Sequence, residues 1–347
     1  VGAGIVGAAC AEACSAEGLR VGVVDRGPTG GGATGAGMGH LVVMDDDPDL
    51  FALTRWSRER WLELDLPDHA ERDRCGTLWI AADGVEMAAA ETKRARLRAD
   101  GVRCELVDAH DLSEMEPSLR KGLAGALLVP DDAVVYPPVV ARVLLDRAVD
   151  HGAETIPGAK VESVATGRVV LEEGRTLHGA RVVLATGPWS PQLWPRAGLR
   201  PRKGHLLITD RHPGFVHHQL VELGYARKAH AIGEDSIAFN VQPRPTGQIL
   251  IGSSRQLGDD PDDTRVDPSI FGAMLARAEE YIPALSGLRA LRAWTGHRAA
   301  TADGLPLIGP DPEDPTVWLA TGHEGLGITT ALATARLIAD PLLGRNC

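Results

Sequence analysis

Val1-Gly2-Ala3-Gly4-Ile5-Val6-Gly7 opens the sequence, and its glycines at positions 2, 4 and 7 form the pattern G-x-G-x-x-G. The first glycine of such a pattern permits a tight turn, and the second lets the backbone approach a pyrophosphate. The third lets the following helix pack closely against a strand. Residues 8–17 (AACAEACSAE) predict that helix, and Gly18 predicts its end. We therefore expect a dinucleotide site at the start of the chain.

A strand predicted at residues 20–24 ends at Asp25, which lies 18 residues after Gly7. An acidic residue at about this distance accepts a hydrogen bond from an adenosine ribose hydroxyl. Its carboxylate also repels a 2′-phosphate, which disfavours NADP. The strand that normally precedes the motif is reduced to Val1, so we expect a fragment that lacks its true N-terminus. Restoring several apolar residues there is expected to improve solubility.

The bulk composition limits the class of protein. A chain of 347 residues is long enough for two domains. The net charge of −11 argues against nucleic acid and anionic membranes as partners. No apolar run approaches the ~18 residues of a membrane span. Five scattered cysteines without a C-x-x-C pattern indicate a reducing compartment, so we expect a cytoplasmic protein.

A glycine-rich stretch at residues 30–39 follows Asp25 and is too rich in glycine to predict a packed element. It is either a flexible linker or a cofactor loop. We favour the cofactor loop, because backbone amides are needed beside the ligand at this point. The acidic run Met44-Asp45-Asp46-Asp47-Pro48-Asp49 lacks the ligand spacing of a calcium loop. It predicts a cap for the next helix, and we expect no metal site.

A second glycine-rich loop, Thr321-Gly322-His323-Glu324-Gly325-Leu326-Gly327, precedes a helix predicted from Ile328 to Ala339. Two helix N-termini, each with unpaired amides and partial positive charge, are therefore expected beside the ligand. NAD needs only one such site, whereas a reduced flavin ring carries an anion that suits the second. This favours FAD. Neither loop contains a cysteine that would form a thioether, so the FAD is expected to be non-covalent.

Three blocks of sequence resemble the D-amino-acid oxidase family of flavoproteins, especially its branch with glycine oxidase, sarcosine oxidase and bacterial hydroxyproline or opine dehydrogenases. They are V-G-A-G-I-V-G-A-A-C with Asp25, V-V-L-A-T-G-P-W-S at 182–190, and G-H-R-A-A-T-A-D-G-L-P-L-I-G-P at 296–310 followed by A-T-G-H-E-G-L-G-I-T-T at 320–330. The elements between them follow the family's order, so the resemblance spans nearly the whole chain.

The resemblance implies an α/β fold, with a Rossmann-like, doubly wound FAD-binding domain and an inserted α+β substrate domain on a mixed or antiparallel sheet. The FAD domain would be discontinuous, at residues 1–74, 136–202 and 294–347, and the substrate domain would comprise 75–135 and 203–293. The cofactor-binding residues implied in this way are Gly2, Gly4, Gly7, Asp25, Arg26, Thr34, Gly37, Met38, Gly39, Thr186, Gly187, Trp189, Gly322, His323, Gly325, Leu326, Gly327, Ile328 and Thr329.

The implied reaction is oxidation of an amino acid or a secondary amine acid to the imine by hydride transfer to flavin. The family's carboxylate-binding arginine matches Arg298. It precedes the Asp303-Gly304 turn, on a strand expected to return to the flavin sheet beside the Gly322–Gly327 loop. A structural ion pair is the alternative role for this arginine. Asn240 stands where glycine oxidase has a substrate-facing tyrosine, and Gly325 where it has an arginine. Asn240 and Gln242 share one strand face and point either at substrate or at a loop.

No catalytic base is assigned, because an amine that binds deprotonated needs none. His40, His205, His297 and His323 are expected to be packed or hydrogen-bonded. Two alternative functions remain open, since a fold does not settle an activity. One is a hydroxy-acid or glycerol-phosphate dehydrogenase on the same fold. The other is a flavin-carrying subunit that works with partner subunits in a larger oxidoreductase.

Overall fold

The structure is a computed structural model that describes residues 1–44, 47–224, 235–258 and 260–345. Its first three residues run between two strands, β1 (Gly22–Asp25) and β11 (Val182–Leu184). Gly2 N donates to Val24 O at 2.8 Å, and Ala185 N donates to Val1 O at 2.9 Å. Strand β1 pairs in parallel with β7 (Glu154–Pro157). The N-terminal stretch therefore joins the strands on either side of it into one layer.

The other side of this layer continues from β11, which pairs in parallel with β18 (Val317–Thr321). Strand β18 pairs in turn with the antiparallel β17 (Leu307–Pro310). Four helices share with this layer a core that includes Leu41 and Trp61. They are α1 (Ile5–Ala16), α3 (Pro48–Glu63), α6 (Pro137–Asp150) and α9 (Gly327–Leu342).

Close packing between α1 and the first turn requires glycine at two positions. Gly2 has a φ of +104°, and a Cβ there would lie 2.4 Å from Ala185 O. A Cβ on Gly7 would lie 2.0 Å from Gly2 O. Both distances are far below any real Cβ contact, so these glycines set how closely α1 approaches the strands.

The large sheet has eight strands in the order β16-β12-β15-β14-β13-β3-β5-β4. Neighbouring strands are antiparallel except β13 and β3, which are parallel. The bounds are β3 Thr77–Ala81, β4 Glu105–Asp108, β5 Gly125–Val129, β12 Arg200–Thr209, β13 Gln219–Glu222, β14 Ser236–Pro243, β15 Ile249–Leu257 and β16 Ala290–Ala300.

Capped helices cover this sheet. Helix α8 (Pro268–Tyr281) begins at Asp267, whose carboxylate accepts from Ser269 N and Ile270 N. Its Tyr281 ring stacks on Phe239 of β14 at 4.2 Å between centroids. Helices α4 (Gly84–Ala99) and α5 (Ala109–Met115) begin in the same way, at Asp83 and Asp108. An aspartate at this position satisfies amides that the helix leaves unpaired.

Smaller elements complete the fold. Strands β8 (Val161–Ala165), β9 (Arg168–Leu171) and β10 (Thr176–His178) form an antiparallel meander, and β2 (His40–Leu41) pairs with β6 (Ala133–Val134). Short helices lie at α2 (Ala33–Ala36) and α7 (Ser190–Leu193). Single 3₁₀ turns lie at Asp68–Ala70, Gly187–Trp189, Pro195–Ala197, Pro283–Gly287 and Glu324–Leu326.

Two expectations from the sequence need correction. The glycine-rich stretch at 30–39 does contain a packed element, α2, because Gly296 leaves room for it: a Cβ there would lie 2.2 Å from Ala36 Cβ. Strand β16, which carries Arg298, does not join the sheet of β17 and β18, although its last residue, Ala300, forms an isolated bridge with His323 of the second glycine-rich loop, beside which the strand was expected. It pairs with β12 at the edge of the large sheet over nearly its whole length.

In its described part, the acidic run before α3 caps that helix, as the sequence predicts. Asp47 accepts from Asp49 N and Leu50 N, at 2.8 and 3.1 Å. Asp45 and Asp46 lie outside the described residues. In the described part of the chain, no helix is both long enough and apolar enough to cross a membrane.

The packing at Gly7 is testable by substitution. Gly7→Ala should lower the free energy of unfolding by about 1–3 kcal/mol, because the new methyl overlaps Gly2 O and the helix must move. Urea unfolding of variant and wild type measures this. Gly22→Ala is the matched control, since a Cβ there meets nothing within 4 Å. Equal stability of the two variants would contradict the packing argument.

Candidate active site

A cavity of about 580 Å³ lies between the N-terminal layer and the large sheet. Asp25, Arg26 and the β8–β9 meander line one end, and Asn240 and Arg298 line the other. The sequence-predicted residues that line it are Gly2, Gly4, Asp25, Arg26, Thr34, Gly37, Met38, Gly39, Thr186, Gly187, Trp189, Asn240, Arg298, Gly322, His323, Gly325, Gly327 and Ile328. Both glycine-rich loops therefore meet at one cavity.

Three predicted residues are not in the cavity wall. Gly7 packs against Gly2 O, as its part in helix packing requires. Leu326 instead packs against the buried cluster that contains Val42. Thr329 is 1% exposed, and its hydroxyl donates to His40 O at 2.8 Å. Leu326 and Thr329 thus pack into the protein beside the second glycine-rich loop and do not face the cavity.

The N-terminus of α1 is suited to an anion. Gly4 is the N-cap and offers no side chain, and the first turn carries no acidic residue. Thr34 Oγ1 accepts from Ile5 N at 2.9 Å and lies 3.3 Å from the place where a Cβ on Gly4 would stand. Any side chain at Gly4 would therefore narrow the approach to the helix end, where the partial positive charge is greatest.

Asp25 is fixed at the end of β1 by backbone amides. Its Oδ2 accepts from Ala3 N at 2.6 Å and its Oδ1 from Gly27 N at 2.7 Å. Each carboxylate oxygen has a second lone pair. Asp25 therefore combines a fixed orientation in the cavity wall with remaining acceptor capacity, which is what a ribose hydroxyl requires.

Arg26, Trp189 and Asp262 form a three-residue clasp at the end of the cavity that Asp25 lines. The Arg26 guanidinium lies 4.1 Å from the centre of the Trp189 ring and its Nη2 lies 2.5 Å from Asp262 Oδ1. Trp189 Nε1 donates to the same oxygen at 3.0 Å. The hydrogen bond from Arg26 lowers the pKa of Asp262. The clasp ties a loop beyond β15 to the turn after β1.

Arg298 reaches the cavity from β16. Its Nη1 donates to Ser254 O at 3.0 Å, and its side chain is 19% exposed. Gly204 on the paired strand β12 makes room for it, because a Cβ there would lie 2.5 Å from Arg298 Nη1. A guanidinium held in this way presents a planar fork suited to a carboxylate.

Glu324 lies beside Arg298 with a φ of +48°. Arg255 binds its carboxylate through two contacts, Nε to Oε1 at 2.9 Å and Nη2 to Oε2 at 3.2 Å. Arg298 Nε is 4.0 Å from Oε1. Burial alone would raise the pKa of Glu324, but the charges of Arg255 and Arg298 hold it at about 2. Both guanidiniums therefore act on the same buried carboxylate, Arg255 through direct contacts and Arg298 through its charge.

Asn240 and Gln242, on one face of β14, have different surroundings. Gln242 Nε2 donates to Met38 O at 2.8 Å and so ties the first glycine-rich loop to the large sheet. Asn240 lines the cavity. One of the two side chains thus contacts a loop, and the other residue belongs to the cavity wall.

Four histidines near the cavity are neutral at pH 7. Burial lowers the pKa of His40 and of His323 to about 4, and it also lowers those of His205 and His297. His323 Nε2 is 3.0 Å from Thr334 Oγ1, and His205 Nδ1 is 2.9 Å from Ser254 Oγ. His205 and His323 are therefore hydrogen-bonded groups, and His297 is packed, at 5% exposed.

The sequence did not single out several residues of the cavity wall. Lys160 and Glu172 pair at 2.9 Å on the β8–β9 meander. Gly204, Ser253 and Glu324 belong to the other end. Of these residues, Glu324 alone lies within a motif, the second glycine-rich loop, although no role is predicted for it from the sequence. His110, Asp111 and Glu114, which come together on α5, are exposed and do not line the cavity.

Taken together, a G-x-G-x-x-G turn, a helix N-terminus and a fixed aspartate define a protein that binds a dinucleotide. The chain belongs to the FAD dependent oxidoreductase family, which matches residues 1–340. This confirms the resemblance and the α/β fold class. FAD is its cofactor, and Gly2, Gly4, Asp25 and the start of α1 fit that group.

Relatives cover nearly the whole chain. A glycine oxidase from Bacillus licheniformis is 28% identical over 360 residues, covering 99% of this chain and 92% of its own. The hydrogen cyanide synthase subunit HcnC of Pseudomonas aeruginosa is 27% identical over 398 residues, covering 97% and 90%. The crystal structure of glycine oxidase from Geobacillus kaustophilus superposes with a TM-score of 0.88 at 25% identity, covering 100% and 94%.

We expect the clasp to slow the release of FAD. Asp262→Asn should raise the rate of FAD release by up to about fivefold at low salt, since exposed ion pairs contribute at most ~1 kcal/mol. The difference should shrink in high salt through screening. Flavin fluorescence after dilution measures the release.

Glu313→Gln is the control for the clasp, because it removes an exposed ion pair, with Arg196, whose members do not line the cavity. A release rate unchanged by Asp262→Asn, or changed equally at every salt concentration, would show that the clasp does not hold the cofactor.

Proposed function

We propose that this enzyme oxidises a small amino acid or secondary amine acid to its imine, with Arg298 binding the substrate carboxylate. The observation that carries the proposal is the Arg298 guanidinium in the cavity wall, in a space left by Gly204. The likeness to glycine oxidases supports an amine rather than a hydroxy acid or glycerol phosphate as substrate.

FAD, when bound, accepts the hydride that leaves the α-carbon of the amine. The chain's own residues fix the position of that carbon. Arg298 holds the carboxylate by two points, which sets both the distance and the angle of the α-carbon. Water then hydrolyses the released imine. A reaction of this kind depends mainly on positioning, so the arginine supplies much of the rate.

The alternative role for Arg298 is that of a structural ion pair with Glu324. Arg255 binds the Glu324 carboxylate at two points, whereas Arg298 stands 4.0 Å from it. The direct two-point contact from Arg255 supports a role for Arg298 beyond pairing with Glu324.

The division of the chain is also part of the proposal. We infer an FAD-binding domain of residues 1–74, 136–202 and 294–347 and a substrate domain of 75–135 and 203–293.

A cytoplasmic location is supported by the scattered cysteines. Partner subunits are a further proposal, supported by the likeness to a protein named as a subunit, HcnC. Purification without loss of activity would overturn the need for them.

An anaerobic screen of flavin bleaching tests the reaction. Amino acids, proline analogues and N-methyl amines should bleach the flavin absorbance, and the matching hydroxy acids should not. Bleaching by hydroxy acids alone would replace the proposal with its rival. Retention of all flavin in the supernatant after acid precipitation is expected, because the FAD is held without a covalent bond.

Removing Arg298 should impair catalysis without loss of cofactor. Arg298→Ala should lower kcat/KM for the acid substrate by a factor that corresponds to about 3 kcal/mol, because a charged hydrogen-bonded pair is lost. Arg298→Lys keeps the charge and loses the fork, so binding should weaken less. The measurement is the ratio of kcat/KM for the acid and its amide, with FAD content as a second readout.

Arg244→Ala is the matched control, because Arg244 is comparably buried and paired with Glu71 but does not line the cavity. Its acid-to-amide ratio should equal that of the wild type. If Arg298→Ala slows the acid and the amide equally, or sheds FAD, Arg298 is structural.

The pH dependence of kcat/KM should follow the ionisation of the substrate amine. His40 and His323 have pKa values near 4 and Glu324 near 2, so their charges do not change between pH 6 and 9. kcat/KM should rise with pH as the substrate amine loses its proton. Profiles for two substrates whose amine pKa values differ by about one unit should be displaced by that difference. Coincident profiles would instead reveal an enzyme base.

A further inference from the structure

Glu324 brings a full negative charge to the cavity wall beside Arg298. Its side chain is 14% exposed, and its Oε1 is 4.0 Å from Arg298 Nε. Arg255, which contacts both carboxylate oxygens, is only 5% exposed and does not line the cavity. From the ligand space, the carboxylate therefore lies in front of the guanidinium that compensates it. The pair presents its negative end to a ligand.

The surroundings of Glu324 keep it ionised. Strand β16 and helix α9 pack against the turn that contains it. Strand β16 contributes Arg298, β15 contributes Arg255, and the first two turns of α9 contain no charged residue. The histidines of the cavity wall are neutral at pH 7 because burial lowers their pKa values; these are His40, His297 and His323. The pKa of Glu324 is about 2, so its charge is complete between pH 6 and 9.

The substrate amine would lie within the field of this charge. An amino acid in water is a zwitterion whose ammonium nitrogen is two bonds from the carboxylate carbon. When Arg298 binds the carboxylate, the nitrogen therefore lies in the part of the cavity that Glu324 borders. The carboxylate of the substrate offsets the charge of Arg298, which leaves Glu324 as the nearest full charge in the described wall. A negative charge at this range favours the protonated form of an amine.

We propose that the charge of Glu324 selects the ammonium form of the substrate, so that an amino acid binds as its zwitterion and loses the amine proton only in the bound state. This rests on the proposed function, in which Arg298 holds the carboxylate. The proton passes to solvent, because Glu324 stays ionised. The nitrogen lone pair then forms the C=N bond as the hydride leaves for FAD. Glu324 is thus a specificity-determining residue that acts through its charge.

Two pH profiles separate the bound substrate from the free one. The kcat profile reports ionisations in the enzyme–substrate complex, and the kcat/KM profile reports those of the free species. Glu324→Gln keeps the size of the side chain and removes its charge. The rising limb of kcat, measured as the limiting rate of anaerobic flavin reduction, should move to lower pH by about one unit. The limb of kcat/KM should stay in place.

A second variant should move the kcat limb in the opposite direction. Arg255→Met removes the charge that compensates Glu324, so the field at the amine becomes more negative and the limb should move to higher pH. Glu71→Gln is the matched control, because Glu71 also has a positive φ, of +51°, and pairs with an arginine, Arg244. Glu71 does not line the cavity, so both limbs should stay in place.

The profiles also test the competing view that Glu324 is only a structural partner of Arg255. On that view, Glu324→Gln would lower the rate or the stability without moving the kcat limb. An unmoved limb at full FAD content, or an equal movement in Glu71→Gln, would overturn the proposal.

A binding experiment tests the charge without turnover and so separates this proposal from the proposed function. Trimethylglycine and 3,3-dimethylbutyrate have the same shape, but only the first carries a cation, and neither can form an imine. Their binding to the holoenzyme is followed by the flavin spectrum. Glu324→Gln should lower the affinity for trimethylglycine relative to dimethylbutyrate about tenfold, the factor that corresponds to one pH unit.

This change in relative affinity would support the proposal even if no amine is turned over. The same ratio of affinities in wild type and variant, or no binding of either ligand, would overturn it, even where amine oxidation and the role of Arg298 are upheld.

Discussion

The backbone contacts of residues 1–3 are the constraint on which the rest of the structure depends. Gly2 hydrogen-bonds to Val24 on one side while Ala185 hydrogen-bonds to Val1 on the other, so this stretch joins the two halves of the N-terminal layer. Side chains at Gly2 or Gly7 would push α1 away from the strands. Because α1 begins at the cavity, the same contacts place its positive end beside the ligand. The fold and the cofactor site therefore share one requirement.

Positive charge of two kinds borders the cavity. The N-terminus of α1 supplies partial charge from backbone amides, and its N-cap, Gly4, adds no side chain between them and the cavity. The large sheet supplies a full charge to the cavity wall, that of Arg298, which needs depth and room. Gly204 supplies the room, and the length of β16 places Arg298 within reach. An acid substrate between them would meet the guanidinium while its reacting carbon faces the cofactor.

Local patterns in the sequence predicted those parts of the structure that local backbone determines. The two glycine-rich loops, Asp25 and the helices α1 and α9 were all recognisable because each needs particular residues in consecutive positions, although α1 begins at Ile5 and not at residue 8. Strand β16 was misplaced because its pairing with β12 depends on residues about a hundred positions away. Lys160, Ser253 and Asp262 had no signal for the same reason. Each reaches the site through tertiary contacts, and nothing in its own neighbourhood distinguishes it from an ordinary surface or strand residue.

The Glu324 cluster shows how one departure from the family pattern is accommodated by another element. Gly325 stands where the resemblance to glycine oxidase implies an arginine. A Cβ at Gly325 would lie 3.7 Å from Arg255 Nη2 and 3.8 Å from Arg298 Nε, so two guanidiniums already border this space. Arg255 comes from β15 and binds Glu324 at two points. The positive charge that the loop lacks is therefore supplied from the large sheet, and the buried carboxylate holds the two like charges together. An arginine at position 325 would have to enter a region that already holds the guanidiniums of Arg255 and Arg298, which explains why glycine fits there.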